Sequence, residues 1–258
     1  MQAAERPENE SQRLTALHAL RILDTPIDDA FEQLTQLACD LFDVPTALVS
    51  LVDEERQWFK SHHGLDACET RREISFCAHA VAANTPLVIE DTGDDPRFAD
   101  NPLVQGMPHI RFYAGHPLRP TGELAVGTLC LISDRPRTFS ARDRQILARL
   151  AGQVDELLRQ HQMRHTLSQV TRRYEALFNE SATGIVRIDR EGKVLGINPY
   201  ALTMLGYTKQ EVVGRNVSML TPPTIRAEHD HFIARFLTGS DPKVIGRGRE
   251  VEALHKEG

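Results

Sequence analysis

Between residues 141 and 178 the apolar positions fall at intervals of three and four, with no proline to break them. Leu147, Leu150, Val154 and Leu157 make one stripe, and Leu167, Val170, Tyr174 and Leu177 make another. Such spacing is helical. Ser140 and Asp143 fit a capping box at its start, with aspartate in the place usually taken by glutamate. The chain is thereby divided into a front piece (11–140), a connector (141–177) and a rear piece (178–258). Ten residues separate Leu157 from Leu167, so the stripes do not share one register, and an interruption is expected near residues 160–163. Two arrangements satisfy the pattern. One is a parallel homodimer joined along a coiled-coil connector; the other is two separate amphipathic helices, each packed on its own domain. The unbroken link between two structured pieces favours the first.

Composition excludes several classes. Of 258 residues, 41% are hydrophobic and 26% charged, and no run of about 18 apolar residues is long enough to cross a membrane. The first ten residues are polar and lack the apolar core of a secretory signal. A net charge of -6 without a basic stripe argues against nucleic-acid binding. Cys39, Cys68, Cys77 and Cys130 are scattered, with neither metal-ligand nor disulfide-framework spacing. They read as small hydrophobes in a cytoplasmic protein.

In the front piece, Leu14 to Leu23 reads as a short helix. A second helix carries Phe31, Leu34, Leu37, Ala38 and Leu41 at helical spacing. Strand-like runs follow at 46–52, 56–60, 87–89, 110–115 and 124–132, separated by turn-forming clusters. Strands grouped between helices indicate an α+β domain on an antiparallel sheet. The segments Ala47–Asp53, Gln57–Ser61, Ser75–Ala80, Asp95–Phe98, Phe112–Gly115 and Gly127–Cys130 resemble those of a GAF domain. That resemblance implies a small-molecule pocket between the sheet and the helices covering it, with Trp58, Phe76, His79, Asp91, Phe112 and Thr128 as candidate liners. The residue types leave other readings open. Cys77 and His79 lack a second pair at metal-ligand spacing, aromatic residues are commonly core, and the acidic loop 90–95 suits a solvated turn.

The rear piece reads as a β-hairpin (185–189 and 193–198) followed by helices at 199–205 and 208–213. A further helix places His229, Phe232, Ile233, Phe236 and Leu237 on one apolar stripe. A histidine on that face needs a partner for its ring nitrogen, either a neighbouring side chain or a metal. In the strand that follows, Arg247, Arg249, Val251 and Ala253 share one face. Gly192, Asn198-Pro199, Leu205–Tyr207, Glu211–Arg215 and His255–Gly258 resemble a PAS domain. Residues 214–222, Arg226, Glu228–Asp230 and Val244–Gly246 with Arg249 resemble the haem-binding PAS domain of FixL-type oxygen sensors. The resemblance implies haem b held by His229 through iron, with Arg249 donating to bound oxygen and Arg235 contacting a propionate. Phe232, Ile233 and Phe236 are implied as pocket wall. Lys243 and Gly248 depart from that pattern. Relative to a five-stranded PAS sheet, the last two strands are expected to lie beyond residue 258.

No nucleophile stands with a base, and no phosphate-cradling glycine loop is present; Ser50, Ser75 and Ser181 lack an elbow context. The expectation is therefore a cytoplasmic sensory input module controlling a downstream output, a diguanylate cyclase or a histidine kinase by resemblance. The alternatives are a haem-dependent oxygen sensor and a GAF-type free-methionine-sulfoxide reductase. The last would need a set of exposed resolving cysteines.

Overall fold

A computed structural model describes residues 1–226, 228, 233 and 252–258. The chain divides into two compact units, Met1–Thr166 and Leu167–Gly258.

The first unit opens with helices α1 (Glu10–Ala19) and α2 (Asp29–Phe42), followed by strands β1 (Thr46–Val52), β2 (Arg56–His63) and β3 (Glu69–Arg71). Helix α3 (Phe76–Ala83), strand β4 (Leu87–Ile89), helix α4 (Pro102–Gln105) and strands β5 (Phe112–Leu118) and β6 (Gly127–Ser133) complete the sheet. All strand pairs are antiparallel, in the order β3-β2-β1-β6-β5-β4. Helix α1 begins and ends earlier than the apolar pattern suggests, and left-handed Arg21 and Asp24 turn the chain after it. The buried face of α2 is Phe31, Thr35, Ala38, Cys39 and Phe42, whereas Leu37 and Leu41 are exposed. The stripe is displaced because Thr35 takes a core position, bonding Ser61 at 2.6 Å.

Neither face of the central strands β1 and β6 is wet. Ala47, Val49, Leu51, Trp58, Phe112, Ala114, Leu129 and Leu131 pack with α2 and with Leu147, Leu150, Ala151, Val154 and Leu158. On the opposite face Leu48, Val52, Phe59, Tyr113, Cys130 and Ile132 pack with Phe76, Cys77, Phe98 and Val104. A bulge in β2 keeps both faces apolar. Val49 pairs with Ser61 and Ser50 with Phe59, so Lys60 is the extra residue. Without it, Trp58 and Ser61 would lie on opposite faces. Lys60 is itself buried and donates to Thr25 Oγ1 at 3.0 Å and Pro26 O at 2.6 Å. Where β6 meets β1, a Cβ on Gly127 would stand 2.0 Å from the Ser50 carbonyl oxygen, so only glycine fits.

Helix α5 (Ala141–Asn179) is continuous through 160–163, where an interruption is expected from the two stripes. The first stripe packs on the sheet, and the second, at Leu167, Val170, Tyr174 and Leu177, is exposed. No single seam uses both, so their phase difference requires no break. Ser140 caps the helix as its sequence implies: the Asp143 amide donates to Ser140 Oγ at 3.2 Å, and the Ser140 amide donates to Asp143 Oδ2 at 2.9 Å.

The second unit has a hairpin of β7 (Val186–Ile188) and β8 (Val194–Ile197), then α6 (Pro199–Leu205) and α7 (Lys209–Val212). Its core is Val194, Ile197, Ala201, Leu205, Val212 and Leu220. Buried Asn198 organises it: its Oδ1 accepts from the amides of Ile185 and Ala201, and its Nδ2 donates to Thr183 O. Thr208 and Glu211 form the capping box of α7.

The charge arrangement in the first unit is concentrated at Glu10. Arg13 donates to its carboxylate at 2.8 and 2.9 Å, and Arg72 does so at 2.5 Å. Arg13 also donates to Val52 O at 2.6 Å, and Arg72 to Asp53 O at 3.0 Å. Burial pushes the Glu10 carboxyl up, but the two guanidiniums outweigh it and hold the pKa at about 2. Glu10→Gln strands two buried cations and is expected to cost about 3 kcal/mol at neutral pH, measured by urea unfolding. Because the folded pKa is depressed, the contribution is present above the ordinary value of 4.5 and disappears as pH falls toward 2. A gap between wild type and variant that stayed constant down to pH 2.5 would contradict this account.

Asp155 on α5 has the opposite sign. Its Oδ1 is buried without a hydrogen-bond partner among the described residues, and burial raises the carboxyl pKa to about 6. Its protonated form is favoured on folding, so the contribution to stability is full below pH 3.8 and lost as pH rises through 6. Asp155→Asn is expected to be more stable than wild type at pH 7.5 by about 1 kcal/mol, after allowance for solvent screening. The difference should vanish at pH 4; thermal melts at the two pH values decide the point.

Candidate functional site

The sheet face that carries α3 contains a partly open cavity of about 140 Å³. Its floor is Leu48, Phe59, Tyr113 and Ile132 from four strands. Phe76 and Cys77 of α3 form one wall, and Thr70 of β3 with Leu65, Leu103, Met107 and Ile110 from loops and α4 forms the other. α3 is held in place at its start. Ser75 accepts the Ala78 amide at 3.0 Å, and its hydroxyl donates to Gln57, another lining residue. Nearly all the wall is apolar. One exception is Thr70, whose Oγ1 is buried with no hydrogen-bond partner among the described residues. An unmet hydroxyl in an apolar cavity is a binding feature, because a ligand group that bonds it removes a desolvation cost.

Behind Cys77 lies a cluster of polar side chains inside the core. The Cys77 and Cys130 sulphurs are 3.6 Å apart, and the Tyr113 hydroxyl donates to Cys77 Sγ at 3.3 Å. Tyr113 reaches it by lying across Gly115, where a Cβ would stand 2.2 Å from the phenol oxygen. Ser50 and Thr128, paired across β1 and β6 on the same sheet face, bury their hydroxyls with no hydrogen-bond partner among the described residues. Burial opposes ionisation of Cys77, but the polar groups of Cys130, Thr128, Tyr113 and Ser50 around it prevail and bring its pKa down. The same pairing with Cys77, together with burial, holds Cys130 up. Burial also raises Tyr113.

Of the residues expected to line a pocket, Phe76 does so, and Thr128 sits on the same sheet face. His79 is on α3 but faces the N-terminal segment; its Nε2 lies 3.1 Å from Gln2 O, and burial lowers its pKa. Trp58 and Phe112 are on the opposite face, in the core beneath α2 and α5. Asp91 is at the surface in a two-point pair with Arg111, at 2.9 and 2.7 Å, which holds its carboxyl below the usual range. The loop residues lining the cavity were not singled out by pattern, since they have no periodicity. The cysteine pair is 53 residues apart in sequence and equally silent.

In the second unit, Ile233 is helical and half-buried. His229, Phe232, Arg235, Phe236 and Arg249 lie outside the described residues. Among the described residues, no group of three or more histidine, cysteine, aspartate or glutamate side chains is placed to hold a metal ion, and no helix is long and apolar enough to cross a membrane.

The chain spans about a third or less of the curated relatives it matches. A cyclic di-GMP phosphodiesterase of Pseudomonas aeruginosa is 38% identical over 189 residues, 72% of this chain and 32% of that protein. The sensor protein FixL of Bradyrhizobium diazoefficiens is 29% identical over 125 residues, 48% of this chain and 25% of its own length. The GAF domain of an Acinetobacter phosphoenolpyruvate-protein phosphotransferase aligns with a TM-score of 0.45 at 17% identity, covering 58% of this chain and 93% of that one. A PAS fold model matches residues 172–251. The GAF domain model matches residues 26–156, half of the chain, and the protein therefore belongs to the GAF domain family, with a PAS fold following.

Proposed function

We propose that this chain is the sensory input part of a signal-transduction protein, in which the cavity beside α3 takes a small ligand and α5 leads from that domain toward the output. The observation carrying this reading is the 140 Å³ cavity with its one unmet hydroxyl, on Thr70. A dry cavity of about 150 Å³ accommodates a benzene-sized molecule. The ligand class is therefore a single ring or a branched aliphatic of similar size, bearing one hydrogen-bonding group. The relatives include a cyclic di-GMP phosphodiesterase and a sensor histidine kinase, which support an output that turns over cyclic di-GMP or phosphorylates a partner. They favour this reading over a methionine sulfoxide reductase. The exposed stripe Leu167, Val170, Tyr174 and Leu177 supports a parallel dimer along the later part of α5.

Toluene and p-cresol are the probes. They differ by the one polar group, so p-cresol is expected to raise the melting temperature more than toluene. Thr70→Val should abolish that difference, while Leu103→Trp should fill the cavity and abolish both responses. Saturation at a hundred times the dissociation constant corresponds to about 2.7 kcal/mol of stabilisation. Equal responses in wild type and Leu103→Trp would sink the cavity reading.

A second reading concerns the PAS fold, and it is supported by the sensor protein FixL and by an oxygen sensor protein of Escherichia coli, DosP, which is 33% identical over 79 residues. An imidazole and a guanidinium, those of His229 and Arg249, suit in kind a haem iron and its diatomic ligand. Haem would supply the oxygen-binding iron; His229 would hold it, Arg249 would donate a hydrogen bond, and Arg235 would meet a propionate. Haemin added to the purified chain should give a Soret band that His229→Ala loses. A band of equal intensity in both would exclude His229 as the ligand.

A further inference from the structure

Two groups stand within hydrogen-bonding distance of one buried sulphur, that of Cys77: the Tyr113 hydroxyl, which donates to it at 3.3 Å, and the Cys130 thiol at 3.6 Å, while the buried hydroxyls of Ser50 and Thr128 lie on the same sheet face. A thiol offers one weak proton and accepts poorly, so it cannot satisfy these groups. A thiolate is a much stronger acceptor, and the buried hydroxyls of Ser50 and Thr128, without a partner among the described residues, are available on the same sheet face to turn toward it. The surroundings of Cys77 are thus suited to a reactive sulphur rather than to a small apolar filler. The Cys130 sulphur is 3.6 Å away, and closing about 1.6 Å brings the pair to the ordinary disulfide length of about 2.05 Å. Cys77 also lines the partly open cavity, which gives a small oxidant a route to it.

We propose that Cys77 and Cys130 form an oxidisable dithiol whose oxidant is a small hydroperoxide. The Cys77 sulphur attacks the distal peroxide oxygen; the S–O bond forms, the O–O bond breaks, and the thiol proton leaves with the alkoxide or hydroxide as alcohol or water. Cys130 then attacks the oxidised sulphur. The S–S bond forms, the S–O bond breaks, and water departs with the Cys130 proton. Two thiols and one hydroperoxide give one disulfide, one alcohol or water, and one further water. The bond ties α3 to β6 across the floor of the cavity, so the oxidation state of the pair sets how closely the helix sits on the sheet.

The test uses the full chain, treated with one equivalent of hydrogen peroxide, denatured in N-ethylmaleimide and digested for mass spectrometry. The expected product is a Cys77–Cys130 linked peptide, two mass units lighter than the reduced pair, with Cys39 and Cys68 alkylated. Recovery of Cys77 and Cys130 as alkylated thiols, or a first cross-link through exposed Cys68, overturns the proposal. In C130S, dimedone should trap a sulfenic acid at Cys77; in C77S it should trap none at Cys130. The reverse pattern overturns the assignment of Cys77 as the attacking sulphur. Tyr113→Phe keeps the ring and removes one donor to the thiolate, and should slow disulfide formation about tenfold. An unchanged rate removes the argument from converging donors. The wild-type experiment stands even if a variant fails to fold.

Discussion

The first unit depends on a sheet whose central strands have no solvent face. β1 and β6 are buried along their whole length, which is unusual for antiparallel strands. Every other element answers to that fact. One face is closed by α2 and the first turns of α5, the other by α3, α4 and the loops around them. The bulge at Lys60 and the bare Cα of Gly127 let three neighbouring strands keep apolar residues on both faces at once. Because α5 is one of the covers, the connector is not an appendage of the domain. Its first five turns belong to the core.

The two faces differ in how they treat polarity. Beneath α2, polar groups are paired: Thr35 bonds Ser61, and Lys60 bonds Thr25 and the Pro26 carbonyl. On the α3 side, three buried hydroxyls, those of Ser50, Thr70 and Thr128, have no partner among the described residues. Folding ordinarily removes such groups, since each costs on the order of 1–3 kcal/mol. Their concentration on one face, next to a cavity and a sulphur, marks that face as the chemically active one, while the other serves to hold the sheet.

Much of this was legible in the residues. Apolar runs located β1, β4 and most of β2, β5 and β6, and Ser140 with Asp143 marked the start of α5 to the residue. The hairpin and the two helices after it also followed from turn and cap chemistry. What escaped did so for physical reasons. Leu37 and Leu41 look like core until Thr35 finds a hydroxyl partner on a strand that the helix pattern does not mention. Phe112 and Thr128 look like neighbours of one pocket, but the pairing of Phe112 with Ser133 and of Pro117 with Thr128 puts them on opposite faces. A strand's own alternation is local; which face it shares with a neighbour is set by register, and register is a property of pairs. The cavity walls at Leu65, Leu103 and Met107 come from irregular segments, where no period exists to be read.

The Glu10 network has a consequence for where this domain begins. The family model starts at residue 26, yet Leu17, Leu20 and Ile22 are fully buried, and Arg72 takes its carboxylate from residue 10. A fragment trimmed to the family boundary would keep every strand and still expose an apolar cleft with an uncompensated arginine at its rim. The amino-terminal helix is therefore part of the folding unit, and studies of this domain in isolation should begin upstream of it.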